Sequence, residues 1–95
     1  MKFEWDEEKA ALNLGKHGLD FEFAKLIFAG PVLEGPDNRQ DYGEARLVAI
    51  GTVDGFEIVV VFTWREEARR LISARRANAK ERKAYHQAFP GRSRS

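Results

Sequence analysis

Along this chain the spacing of apolar residues changes at Pro31, from clusters that suit helices to alternation that suits strands. Before that point, Asp6 followed by Glu7 and Glu8 makes a helix start: the aspartate can cap free N–H groups, and the glutamates meet the positive end of the helix dipole. This helix is predicted to run to Lys16 or His17 and to stop at Gly18, the residue best suited to a left-handed cap. Asp20 caps a second helix, with Leu19 stapled onto Ala24. Phe23, Ala24, Leu26, Ile27 and Phe28 form its apolar face, and Gly30-Pro31 ends it.

Beyond Pro31 the period is two. Val32-Leu33 reads as a brief strand and Pro36-Asp37-Asn38 as a turn. Arg46 to Val53 alternates and ends at Asp54-Gly55, a strong hairpin signal. Phe56 to Trp64 returns as a strand whose Ile58-Val59-Val60-Val61-Phe62 stretch is apolar on both faces, hence central. Glu66-Glu67-Ala68 turns the chain into a last strand, Arg69 to Arg76. Asn78 then caps a final helix, with Glu81 placed to complete a capping box and Phe89-Pro90 at its end. Lys2 to Trp5 allows a short opening strand. The expected fold is one α+β domain over residues 1–90, with two N-terminal helices, an antiparallel β-meander sheet and a C-terminal helix. The short connections predict helices on one sheet face, and residues 91–95 read as a basic flexible tail.

Composition narrows the class. A chain of 95 residues with 43% hydrophobic content forms one folded domain that buries roughly two thirds of its unfolded surface. It has no window of about 20 apolar residues and no secretory-type start, so a cytoplasmic location and no membrane partner are expected. Without Cys, thiolate chemistry is excluded, and two His in unrelated contexts predict neither a metal site nor a cofactor.

Charge changes the picture most. Residues 65–95 hold ten Lys or Arg against three Glu, whereas residues 1–64 hold six basic and twelve acidic residues. A net charge of +1 therefore conceals a dipolar molecule whose C-terminal third suits a polyanion. Arg46 opens one strand and Arg65 ends its neighbour, so an antiparallel pairing brings both to one edge. Strict alternation in the last strand places Arg69 and Arg75 with Leu71 and Ser73 on one face, and Arg70 and Arg76 with Ile72 and Ala74 on the other. An arginine near the core rim calls for a carboxylate or phosphate partner; simple surface pairing of Arg70 and Arg76 with Glu44 or Glu66 is the plainer alternative. Arg75, Arg76, Lys80, Arg82 and Lys83 form a patch suited to phosphate contacts, although a solvated helix face accounts for the same residues. Glu44 could serve as a base, or Asp41 and Glu44 could tether a loop. His17 is placed to favour a helix C-terminus, and Tyr85 with Phe89 to pack as core, leaving His86 turned partly away near Arg82 and Lys83.

Five blocks carry a resemblance: Trp5-Asp6-x-x-Lys9, Asn13-x-x-Lys16-His17-Gly18, Asp41-Tyr42-Gly43-Glu44-x-Arg46, Thr63-x-Arg65 and Arg70-Leu71-Ile72-Ser73-Ala74-Arg75. Together they resemble the BrnT toxin family over about Phe3 to Phe89. The resemblance implies a type II toxin with a RelE-like fold, acting as a ribonuclease and held inactive by a BrnA-like antitoxin. That antitoxin's dimer is expected to carry two toxin chains and to bind operator DNA, which the toxin meets only through it. Carried over by motif, Arg65 and Arg75 belong at the active surface with Arg46 and Arg70 next, and Arg76, Lys80 and Lys83 are candidate RNA contacts. RNA cleaves itself when its 2′-hydroxyl attacks the adjacent phosphorus, so a metal-independent endoribonuclease needs mainly position and positive charge. Guanidinium groups stay protonated and stabilise the transition state rather than act as bases. Two rival readings use the same basic surface: a non-catalytic nucleic-acid-binding module, and an interaction subunit that docks an acidic protein segment.

Overall fold

The computed structural model describes residues 1–39 and 41–92. A short strand β1 (Lys2–Glu4) leads into helix α1 (Glu7–His17) and helix α2 (Phe21–Ala24), which continues as a 3-10 helix over Lys25–Ala29. Strands β2 (Leu33–Pro36), β3 (Leu47–Val53), β4 (Phe56–Arg65) and β5 (Ala68–Arg76) follow, then helix α3 (Ala79–Ala88) and a 3-10 turn, Pro90–Arg92. That turn runs past the expected domain boundary at residue 90, and Ser93 to Ser95 of the expected tail lie outside the described residues.

The predicted punctuation is present atom by atom. Asp6 accepts hydrogen bonds from the Glu8 and Lys9 N–H groups, Asp20 accepts one from Phe23, and Gly18 takes φ 73° after α1. Asp54 and Gly55 both have positive φ, 51° and 82°, as a two-residue hairpin turn between twisted strands requires. Asn78 and Glu81 form a complete capping box at the start of α3.

The sheet order is β1-β5-β4-β3-β2. β2 to β5 form the expected antiparallel meander, but β1 pairs parallel to β5, which makes the sheet mixed. The long return through four strands leaves β5 as the edge that the N-terminal segment reaches. Helices also occupy both faces rather than one. On the first face, Ile58, Val60 and Phe62 pack with Phe21, Ala24, Ile27 and Phe28 in a single core, joined by Ala49, Val53, Leu71 and Ala74. On the second face lies α3, whose fully buried Tyr85 donates its hydroxyl to the Pro31 carbonyl at 2.9 Å. His86 is not turned toward Arg82 and Lys83 as expected. Its Nε2 lies 2.7 Å from Glu57 on β4, so α3 is pinned against the sheet.

Two local features decide what the strands present. The first is a β-bulge: Val61 pairs with Ser73 and Phe62 with Leu71, so Ile72 has no opposite number. The second is Asn13 of α1, buried at 6% exposure. β1 ends at Glu4, opposite Arg70, and leaves the outer edge of β5 open beyond that point. The Asn13 amide fills it, donating to the Ala74 and Leu19 carbonyls at 2.9 and 3.1 Å and accepting from the Ala74 N–H at 3.1 Å. One side chain thus does the work of a missing strand residue and locks α1 to the sheet. Replacing it strands both buried backbone groups of Ala74, each costing on the order of 1–3 kcal/mol when unpaired, and frees the part-buried Leu19 carbonyl. Asn13→Ala is expected to lower stability by about 3 kcal/mol in urea denaturation, with an unchanged slope; a loss below about 1 kcal/mol would mean that the edge is satisfied in another way.

Candidate active site

The unpaired Ile72 shifts the alternation of β5 by one residue. On its C-terminal side Arg75 and Ser73 lie opposite Val59 and Val61; on its N-terminal side Arg70 lies opposite Thr63. All belong to the second face. Strict alternation predicted Arg70 and Arg75 on different faces; the bulge brings them to the same one, about 13 Å apart at four ladder steps. Arg69 goes the other way, lying 4.2 Å over Phe28 and 4.6 Å over Trp64 on the first face. Arg76 follows Ala74 to that first face too, 4.5 Å over the Phe56 ring, and is thereby separated from Arg75. The anticipated patch of Arg75 with Arg76 is divided by the sheet, whereas Lys80, Arg82 and Lys83 stay exposed on α3.

A cleft of about 450 Å³ opens on the second face. Val48, Val61 and Ser73 form its floor, Glu81 and Arg75 one wall, and Pro36 to Arg39 the other. Arg75 donates to both carboxylate oxygens of Glu81 at 2.8 and 2.7 Å, and Arg39 donates to both of Asp37 at 2.8 Å. The guanidinium partners hold the Asp37 and Glu81 carboxyls below their ordinary values, and the Glu81 hydrogen bonds raise that of Arg75. Asp37 also accepts from the Tyr42 hydroxyl at 3.3 Å. Further along the same face, Glu44 lies between Arg46 at 3.2 Å and Arg65 at 3.9 Å, and Arg46 stacks 4.0 Å over the Tyr42 ring. The Thr63 hydroxyl ties this loop down by donating to the Ala45 carbonyl at 2.6 Å. Arg70 pairs with Glu4 of β1 at 2.7 Å, not with Glu44 or Glu66.

Arg46, Arg65, Arg70 and Arg75 therefore share one sheet face, with Arg75 lining the cleft. Sequence reasoning missed Arg39, Asp37, Ser73 and the pairing of Glu81 with Arg75. The signal for Arg39 was present in Asp37-Asn38-Arg39, an acid and a base two apart in a turn; the signal for Ser73 depended on the bulge.

A family model described as "Ribonuclease toxin, BrnT, of type II toxin-antitoxin system" matches residues 5–81, which span β2 to β5 and both walls of the cleft. The chain belongs to the BrnT family. A solved structure of the Brucella abortus ribonuclease toxin BrnT is similar to it, with 36% identity and a TM-score of 0.61 over 82% of this chain and 97% of that one. No curated protein matches significantly. Membership makes this BrnT-family chain a ribonuclease toxin of a type II toxin–antitoxin system, the activity that the five sequence blocks implied. No described helix is long and apolar enough to cross a membrane.

The two depressed carboxylates set a pH dependence. A folded-state value below the unfolded one means that the unfolded chain binds more protons in acid, so the stabilisation is complete above the ordinary carboxylate values of 3.8 and 4.5 and fades as pH falls through the depressed ones. Thermal melts should show wild type losing stability below about pH 4.5 more steeply than the Asp37→Asn/Glu81→Gln double variant. Parallel pH curves for the two proteins would contradict this pairing.

Proposed function

We propose that the cleft beside Arg75 is the RNA-cleaving site of this ribonuclease toxin, and that it works without a metal ion. The observation that carries this is the convergence of Arg75 and Arg39 on one concave site, with Arg46, Arg65 and Arg70 continuing along the same face. A strand of RNA laid along β4 would place one phosphodiester in the cleft and its neighbours against the outer arginines. The 2′-hydroxyl attacks the adjacent phosphorus, and the guanidinium groups neutralise the charge that develops on the phosphoryl oxygens. Lys80 and Lys83 lie on the exposed side of α3, where they suit phosphate contacts that position the chain; Arg76, on the opposite face, suits this less.

The antitoxin is the expected partner. A BrnA-like protein presenting carboxylates to the same face would neutralise both the charge and the activity, in the cytoplasm, with its dimer holding two toxin chains and touching operator DNA on their behalf. Arg75→Glu should weaken that complex by placing like charges together.

Cleavage of a long RNA in excess EDTA provides the test. Wild type should cut, and Arg75→Ala and Arg65→Ala should each fall, with Arg75→Ala down about 10²–10³-fold while its melting curve stays cooperative. Activity abolished by EDTA and restored by a divalent ion would overturn the metal-independent reading. Full activity in both variants would move the site elsewhere. Lys80→Ala and Lys83→Ala should each reduce the salt slope of RNA binding by about one.

A further inference from the structure

We infer that Glu81 is the general base of the reaction, freed for that role when the substrate phosphate takes its place on Arg75. This rests on the cleft being the RNA site. A carboxylate and a phosphodiester present the same pair of oxygens to the two parallel N–H groups of a guanidinium. In the free protein those two donors are taken by Glu81. RNA entering the cleft therefore competes with Glu81 for one binding position, and each phosphate bound releases a carboxylate at the spot where it binds.

The released carboxylate does not swing away. Glu81 Oε1 also accepts the Asn78 backbone N–H at 2.9 Å, and the Glu81 N–H is held by the Asn78 side chain at 2.8 Å. The capping box thus keeps the group at the lip of the cleft after Arg75 lets go. Losing its guanidinium partner also removes the main cause that holds its carboxyl low, so its basicity rises on substrate binding. The charged neighbours facing it are Arg75 from β5 and the Arg39–Asp37 pair across the cleft. The other candidates are worse placed. Asp37 is buried and takes two hydrogen bonds from the Arg39 side chain and one from Tyr42. Glu44 bridges two arginines and does not line the cleft, and His86 is engaged with Glu57 behind α3.

The step balances as follows. Glu81 takes the proton of the 2′-hydroxyl as the O2′–P bond forms, and the P–O5′ bond breaks with the 5′-oxygen taking a proton from water. The products are a 2′,3′-cyclic phosphate and a 5′-hydroxyl end. Glu81 then gives its proton to water and returns to Arg75.

Glu81→Gln tests this, because glutamine keeps an oxygen for the Asn78 N–H but cannot take a proton. Single-turnover cleavage of a short RNA by the full chain should fall about 10²–10⁴-fold, and the acid limb of the rate–pH profile should disappear. Binding of a fully 2′-O-methylated RNA, which cannot be cut, should tighten because Arg75 no longer has a charged competitor. Cleavage by Glu81→Gln at the wild-type rate, with Arg75→Ala impaired, would overturn the inference and leave the cleft assignment intact. Loss of both binding and cleavage in Glu81→Gln would also overturn it, reducing Glu81 to a support for Arg75. Wild-type cleavage by Arg75→Ala would remove the cleft itself, and Glu81 with it.

Discussion

In β5, Ile72 has no partner on β4, and that one residue rotates the strand on either side of it to opposite faces. Arg70 and Arg75 come to lie on the same surface because of it, while Arg69 and Arg76 are sent to the other. The bulge is tolerable because each side of it is held by something stronger. Toward the hairpin, β1 pairs with Ala68 to Arg70; toward α3, the Asn13 amide holds both backbone groups of Ala74. A strand bent between two such anchors has little freedom to slip its register, and a one-residue slip would exchange the whole set of arginines.

The second face is left open for the proposed chemistry because the first is already committed to the core. Phe21, Ile27, Phe28 and Phe62 fill the first face, and its two arginines lie over aromatic rings. The second face is covered only at one end, where α3 is fastened by Tyr85 and His86. What remains open is a floor of Val48, Val61 and Ser73 with paired charges on both sides. In the free molecule each of those arginines has a carboxylate partner, so the site is electrostatically at rest rather than a bare cluster of cations. Such a surface avoids strong self-repulsion, and in the proposed reading it yields to phosphate, which bonds guanidinium groups in the same geometry as the carboxylates do.

This arrangement also gives the charge asymmetry of the chain a physical sense. The acidic N-terminal two thirds supplies the resting partners (Glu4, Asp37 and Glu44) of arginines that polyanions would otherwise occupy without selection. Glu81, the partner of Arg75, comes instead from the basic third, and it sits on the element that closes the cleft.

Much of the fold was legible in the residues themselves, because its signals are local. Asp6, Gly18, Asp20, Asp54-Gly55 and the Asn78–Glu81 box act within four residues of their own positions, and each does in the structure what its chemistry dictates. The gathering of Arg46 and Arg65 was legible as well, since an antiparallel pairing forces it. What the sequence could not show were the features that depend on contacts 29 to 66 residues apart: Asn13 on Ala74, Glu4 on Arg70 and His86 on Glu57. Nothing in the alternation of β5 signals that Ile72 is skipped, because the bulge arises from how nine residues of β5 are laid against eight of β4 across the sheet. The amino-acid sequence by itself determined the elements, their order and the cations they carry. Which of those cations meet at the cleft was decided only by the tertiary pairing, for a side chain's face is a property of register, and register is set by the partner strand.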